Sequence, residues 1–129
     1  MVYMYHFWYN TRMSGPRKVV PAVFYASSNG NEPVRDWLLS LPKGYRVVVG
    51  ADIKTVEYGW PIGMPVCRPM GSGLYEVRTD LGGKNIARVL FCFAGGKMVL
   101  LHGFIKKAQK TPKSDLELAR KRQRDIENG

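Results

Sequence analysis

The chain has 129 residues, 20 of them Lys or Arg and 10 Asp or Glu, which gives a formal net charge of +10 at pH 7. This length suits one domain with a single core, and a hydrophobic content of 45% is typical of globular proteins. No apolar run approaches the roughly 20 residues that a membrane-spanning helix needs, so we expect a cytoplasmic protein that binds no membrane and meets an anionic partner.

Residues 1–18 are predicted to be an extension that precedes the folded domain. The first nine residues are mostly aromatic and apolar, without the basic start and small-residue cleavage site of a signal peptide. A polar stretch containing Gly15 and Pro16 follows. We therefore expect the extension to be mobile or to result from a start site upstream of Met13, and the domain to span residues 19–129.

A strand and two helices are predicted next. Residues 19–25 form the strand, with Pro21 at its beginning or on an edge because proline donates no ladder hydrogen bond. Pro33 favours a first helical turn, and residues 34–41 place apolar side chains on one helical face. A second amphipathic helix covers about residues 43–59. The pair forms a helical hairpin that packs on a sheet.

The sheet itself is predicted mainly from the second half of the chain. β-Branched and aromatic residues indicate three strands, over residues 74–79, 86–94 and 98–105. The pairs Gly82-Gly83 and Gly95-Gly96 separate these strands and favour tight hairpin turns. The strands therefore form an antiparallel meander.

Thr111 and Pro112 predict the cap and the first position of a charged closing helix that reaches about residue 126. Its apolar face is thin, so it is expected to dock weakly or with the help of a partner. The predicted fold class is α+β: a small, mostly antiparallel, twisted sheet with an N-terminal helical hairpin on one face, a basic surface on the other, and a C-terminal helix.

One segment stands out by its charge. Residues 81–114 carry seven Lys or Arg and no Asp or Glu. A surface that serves only solubility mixes both signs, so a one-sign segment within a sheet indicates a face that meets a polyanion. The most probable polyanion is a nucleic-acid backbone.

The Gly95-Gly96 turn predicts which side chains share a face. A two-residue turn there places Arg88 opposite Gly103, with Lys107 on the same face if the strand continues. The small Gly103 would leave room for a ligand beside Arg88. The same register places His102 on the other face, which favours a buried structural histidine over a general base.

The position of Arg78 depends on a second turn, and two registers are open. A two-residue turn at Gly82-Gly83 puts Arg78 on the opposite face from Arg88. A five-residue loop that pairs Asp80 with Ile86 puts the two arginines directly opposite each other.

Four strings of this sequence carry a resemblance to a known family: residues 32–38, 73–78, 87–91 and, above all, residues 100–112, Leu-Leu-His-Gly-Phe-Ile-Lys-Lys-Ala-Gln-Lys-Thr-Pro. They resemble the RelE/HigB toxins of toxin-antitoxin systems, most closely the phage-derived HigB branch. The resemblance implies a RelE-like toxin domain over residues 19–129 and favours the second register. It also implies an endoribonuclease that cleaves mRNA, in most relatives on the ribosome, and a cognate HigA-like antitoxin with a helix-turn-helix domain.

The chemistry implied is metal-independent cleavage by the 2′-hydroxyl of the RNA, in which fixed cations stabilise the phosphorane. The predicted catalytic residues are Glu76, Arg78, Arg88 and Lys107. Some relatives have Lys at the position of Glu76, so an ion pair with Arg78 is an alternative to proton abstraction. The predicted RNA-binding residues are Arg68, Lys106, Lys110 and Lys113. Tyr75 is either a base-stacking residue or part of the core.

No metal and no organic cofactor is predicted, because the two Cys and two His residues are scattered along the chain without ligand spacing. The alternative function is a non-enzymatic ParE-like toxin that binds a protein such as DNA gyrase. The basic, acid-free segment favours RNA, since a gyrase-binding protein has no need of clustered phosphate-binding groups. A DNA-binding module is not favoured, since the sequence has no helix-turn-helix pattern.

Overall fold

The computed structural model describes residues 17–107 and 109–129. The elements in chain order are β1 (Ala22–Phe24), α1 (Pro33–Ser40), α2 (Lys43–Gly59), β2 (Cys67–Gly71), β3 (Leu74–Gly82), β4 (Asn85–Ala94), β5 (Lys97–Lys106) and α3 (Lys113–Asn128). Residues 1–16 lie outside the described part, so the expectation for the N-terminal extension stays a prediction. The predicted α+β class is confirmed.

The five strands form one sheet in the order β1-β5-β4-β3-β2. β1 runs parallel to β5, and the other three neighbouring pairs are antiparallel. The predicted meander is therefore the centre of the sheet, extended by a short strand at each edge. The edge strand β2 was not predicted: it contains Pro69, which a sheet tolerates at an edge or a bulge, and its register shifts between Pro69 and Gly71.

β1 is shorter than predicted because the chain before it bonds to α2 instead of to the sheet. The N–H groups of Val19 and Val20 donate to the backbone oxygen of Glu57, at 2.7 and 3.1 Å. The Glu57 carboxylate accepts the N–H of Ala22 at 2.7 Å and pairs with Lys18 at 3.0 Å. These contacts fix the entry of the chain into the sheet.

The helical hairpin α1–α2 covers one side of the sheet, called here the hairpin face. Five of its apolar side chains are fully buried against strand residues, on the faces that periodicity predicted. The helix residues are Val34, Leu38, Val49, Ile53 and Val56, and the strand residues include Val77, Val89, Phe91 and Leu100. Tyr75 belongs to this side too, with its ring 5.0 Å from Trp60 and 5.6 Å from Phe91, so it is a core residue.

α3 packs on the opposite side, called here the α3 face. Ala119 is fully buried there, against a second apolar cluster that includes Leu74, Leu90 and Leu101. Polar side chains add to this small contact: Arg120 donates to the backbone oxygens of Met70 and Gly71 at 2.9 and 2.8 Å. The closing helix is therefore docked on the domain through hydrogen bonds that its apolar pattern does not reveal.

The predicted register of β4 and β5 is correct near the turn and wrong beyond it. Ala94 pairs with Lys97, but the register shifts between Leu90 and Phe91, and Arg88 pairs with Phe104. Gly103 pairs with Val89 on the hairpin face, where an added Cβ would lie 2.4 Å from the Trp37 ring. The glycine makes room for a tryptophan and not for a ligand beside Arg88.

The same shift corrects two further expectations. His102 pairs with Leu90 and so lies on the α3 face, the same face as Arg88. β5 ends at Lys106, whose partner is Ile86, and Lys107 follows in an exposed bend. Lys106, not Lys107, therefore shares the Arg88 face by register.

No helix in residues 17–107 and 109–129 has the length and apolar character needed to cross a membrane.

Candidate functional site

The centre of the α3 face holds a cluster of three arginines and one glutamate. Arg68 on β2 pairs with Glu76 on β3, and Arg78 on β3 pairs with Arg88 on β4. Residues 76 and 78 point the same way because side chains alternate along a strand. The pairing of Asp80 with Ile86, which puts the two arginines side by side, is confirmed, but the five-residue loop is wrong: the strands continue past a register shift to Gly82 and Asn85, and the turn is Gly83-Lys84. This set is called here the arginine cluster.

Glu76 is the counter-charge of the cluster. Its side chain is fully buried, with Oε1 accepting a hydrogen bond from Arg78 Nη1 at 3.1 Å. Its Oε2 accepts a hydrogen bond from the Thr111 hydroxyl at 2.6 Å. The ion pair with Arg78, one of the two alternatives from the sequence, is therefore formed. Both carboxylate oxygens accept a hydrogen bond, so Glu76 fixes the positions of Arg78 and Thr111.

Arg88 is fully buried. Burial lowers the pKa of its guanidinium, the nearby Glu76 carboxylate raises it, and the positive charges of Arg78 and Arg68 lower it again. The guanidinium carbon lies 6.0 Å from the centre of the Phe104 ring, within the range of a cation–π contact. In this conformation the Arg88 side chain lies beside Arg78 and does not reach solvent.

His102 connects this face to the closing helix. Its Nε2 lies 2.7 Å from Asp115 Oδ1, in the first turn of α3, and both side chains are 16% exposed. The sequence predicted a structural histidine, but on the other side of the sheet. The observed pair attaches the start of α3 to β5 next to the arginine cluster.

Exposed lysines lie along the segment that follows β5. The segment 106–113, called here the lysine loop, leads from the end of β5 to the start of α3. Its exposed lysines are Lys106, Lys107, Lys110 and Lys113. Thr111 was predicted as a helix cap, but α3 begins after Pro112 and the buried Thr111 hydroxyl bonds to Glu76 instead. Thr111 thus anchors the lysine loop to the arginine cluster.

A cleft of about 600 Å³ opens beside Arg78. It is lined by Asp52, by residues 64–66, by residues of the β3–β4 hairpin and by Gln109. The Arg78 side chain is 10% exposed, while Glu76 behind it is fully buried. Arg78 is therefore the member of the arginine cluster placed both to contact a bound anion and to be held by a carboxylate.

Two other features bear on the chemistry. Among the described residues, no group of three or more His, Cys, Asp or Glu side chains is arranged to hold a metal ion. Cys67 lies on the hairpin face and Cys92 on the α3 face. Burial raises the pKa of each thiol to about 11.

Sequence reasoning identified the arginines, the lysines and the glutamate of this site but missed one neutral residue and one acidic residue. Thr111 was noticed only as part of a helix start, and Asp115 was not singled out. For Thr111, the available signal was a hydroxyl residue just before Pro112 in a run of lysines. The contact of Asp115 with His102 depends on the register shift in β4 and β5, which no sequence pattern marks.

A five-stranded, mostly antiparallel sheet with a two-helix hairpin on one face and a basic cluster under the closing helix defines a small α+β protein. The family model "Phage derived protein Gp49-like (DUF891)" matches residues 36–124, more than half of the chain. The chain therefore belongs to this phage-derived Gp49-like family. A search of curated proteins gives no match.

Proposed function

We propose that this protein is a toxin of the HigB branch that cleaves mRNA on the ribosome. The observation that carries the proposal is the junction of the arginine cluster with the lysine loop through Thr111 and Glu76. The partly exposed Arg78 lines a cleft together with the exposed Lys84 and with Gln109 of the lysine loop. A strand of RNA requires such a surface for its phosphates.

The proposed reaction is attack of an RNA 2′-hydroxyl on the adjacent phosphorus. The new bond joins the 2′-oxygen to phosphorus while the 2′-hydroxyl proton passes to water, the bond to the 5′-oxygen breaks while water supplies a proton to that oxygen, and the products are a 2′,3′-cyclic phosphate and a 5′-hydroxyl. Arg78, oriented by Glu76, stabilises the charge that develops on the phosphorane oxygens. Lys107 is the second cation proposed to contact the reacting phosphate. Arg88 supports Arg78 from the adjacent strand position.

The remaining lysines and Arg68 have a binding role in this proposal. Lys106, Lys110 and Lys113 attract and track the RNA backbone, as basic residues in nucleic-acid channels do. The reaction as proposed needs no metal and no organic cofactor. The proposed partners are the mRNA, the ribosome and a HigA-like helix-turn-helix antitoxin, all in the cytoplasm.

A ParE-like toxin that binds DNA gyrase is the second candidate. The observation in its favour is the complete burial of Arg88 and Glu76, which withdraws two of the four predicted catalytic residues from any ligand in this conformation. A protein-binding toxin would need these residues only to keep the sheet and α3 together.

Induced expression in bacteria separates the two candidates. The ribonuclease predicts growth arrest with mRNA fragments that carry 2′,3′-cyclic or 3′-phosphate ends. Growth arrest with intact mRNA and trapped gyrase–DNA complexes would support the second candidate and contradict the first.

Single substitutions then test the assignment of residues. Arg78→Ala and Lys107→Ala are expected to lower cleavage by roughly 100-fold or more, as removal of a group that stabilises transition-state charge does. Lys113→Ala is expected mainly to weaken RNA binding and to reduce its salt dependence by about one phosphate contact. Lys97→Ala, at an exposed lysine that begins β5, is the matched control and should leave cleavage unchanged. Equal behaviour of all four variants would contradict the assignment.

A further inference from the structure

The cleft beside Arg78 has features that phosphate binding does not explain. Its volume of about 600 Å³ lies in the range of sites that hold small molecules. Two carboxylates, Asp52 and Asp80, line it together with two cations, Arg78 and Lys84. Carboxylates repel a phosphate backbone, so their presence at the edge of a basic surface indicates a different kind of contact.

Asp80 is held in a defined orientation. It lies on β3 two positions beyond Arg78, so both side chains are on the α3 face, and its cross-strand partner is Ile86. Its Oδ1 accepts the N–H of Gly82 at 2.8 Å. A carboxylate has about four lone-pair positions, so this bond fixes the group and leaves capacity for a ligand.

The cleft also has an apolar wall. Met64 is 59% exposed, high for a large apolar side chain, and it lines the cleft with Pro65 and Ile86. Planar bases bind proteins by contact of their faces with such side chains and by hydrogen bonds from their edges. The cleft thus combines an apolar wall, a fixed acceptor and a cation.

We propose that this cleft binds one nucleobase of the RNA substrate and that it prefers guanine. The proposal rests on the ribonuclease function proposed above. Arg78 binds the phosphate next to the base, Met64 and Ile86 contact the plane of the base, and Asp80 accepts hydrogen bonds from its edge.

The preference follows from the pattern of donors on the bases. The Watson–Crick edge of guanine presents two adjacent donors, N1–H and the N2 amino group, which one carboxylate accepts together. Adenine and cytosine present one amino group next to an acceptor nitrogen, and uracil presents one N–H between two carbonyl groups. A charged, two-point contact of this kind discriminates more strongly than a single neutral hydrogen bond.

The test is an NMR titration of the full chain with the 5′-monophosphates of guanosine, adenosine, cytidine and uridine. A mononucleotide contains no bond that the enzyme cleaves, so the result does not depend on catalysis. We expect the guanosine nucleotide to bind at least about 10-fold more tightly than the others, with the largest amide shifts at Asp80 and Ile86. Asp80→Asn keeps an acceptor for Gly82 and should lower the guanine preference by roughly 10- to 100-fold.

Asp36→Asn is the matched control, because this aspartate is 65% exposed on α1 and does not line the cleft. It should keep the full preference. Equal affinity for the four nucleotides, shifts elsewhere on the protein, or an unchanged preference in Asp80→Asn would overturn the proposal. Binding of the guanosine nucleotide without any RNA cleavage would reject the ribonuclease function and support the base-binding site. RNA cleavage without a base preference would support the ribonuclease function and reject the base-binding site.

Discussion

Replacing Glu76 by Gln tests whether this residue is the structural counter-charge of the arginine cluster. The substitution keeps the shape of the side chain and an acceptor for Thr111, but it removes the negative charge that faces Arg78 and Arg88. Removing one partner of a buried ion pair typically destabilises a protein by about 3–5 kcal/mol. Domains of this size have a free energy of unfolding of about 5–15 kcal/mol, so the loss is a large part of the total.

The assay is urea unfolding followed by tryptophan fluorescence, since Trp37 and Trp60 pack against the core of the hairpin face. Glu117→Gln on the exposed side of α3 is the control and should change the free energy of unfolding by less than about 0.5 kcal/mol. Adding Arg88→Met to Glu76→Gln should restore part of the stability, because it removes a buried charge that has lost its counter-charge.

The reasoning would be refuted if Glu76→Gln cost less than about 1 kcal/mol, or if the double variant showed no recovery. A stable Glu76→Gln protein that had lost cleavage would make Glu76 a proton-transfer group, as the other alternative from the sequence holds.

Three further outcomes follow from the packing. Gly103→Ala should lower the free energy of unfolding by about 1–3 kcal/mol, because its Cβ would overlap the Trp37 ring. The loss should be smaller in a Trp37→Leu background. No loss of stability in either background would disprove the close packing. Cys67 and Cys92 should resist iodoacetamide at pH 8 in the native protein and react on unfolding, as mass spectrometry would show, because both are buried with a thiol pKa of about 11. Arg120→Ala removes two hydrogen bonds to the end of β2, so hydrogen exchange in α3 should become faster while β4 stays protected; unchanged exchange in α3 would contradict this docking role.

Local sequence patterns predict the helices and the central strands. Pro33 and an apolar stripe define α1, Gly95-Gly96 forms the turn between β4 and β5, and Gly83 begins the turn between β3 and β4. Each is a local signal, since proline geometry and side-chain periodicity act within a few residues. The predicted bounds of these elements therefore agree closely with the observed ones.

The errors come from contacts between residues far apart in the chain. No glycine or turn marks the register shift between Leu90 and Phe91, yet this shift exchanges the faces of Gly103 and His102. A one-residue change of register moves every following side chain to the other side of a strand. The site was therefore predictable in its charges, with Arg78 and Arg88 side by side, but not in its anchoring by Thr111 or in the burial of Arg88.

The parallel pair of strands joins distant parts of the chain, since Ala22 pairs with Met98. During translation, β1 and the helical hairpin are therefore complete long before the strands that cover their apolar surface have been made. Thr111 reaches Glu76 only when nearly the whole protein has left the peptidyl-transferase centre. The carboxylate of Glu76 therefore gains its buried hydroxyl partner only when the chain is almost complete, and a chain that ends before Thr111 lacks this contact.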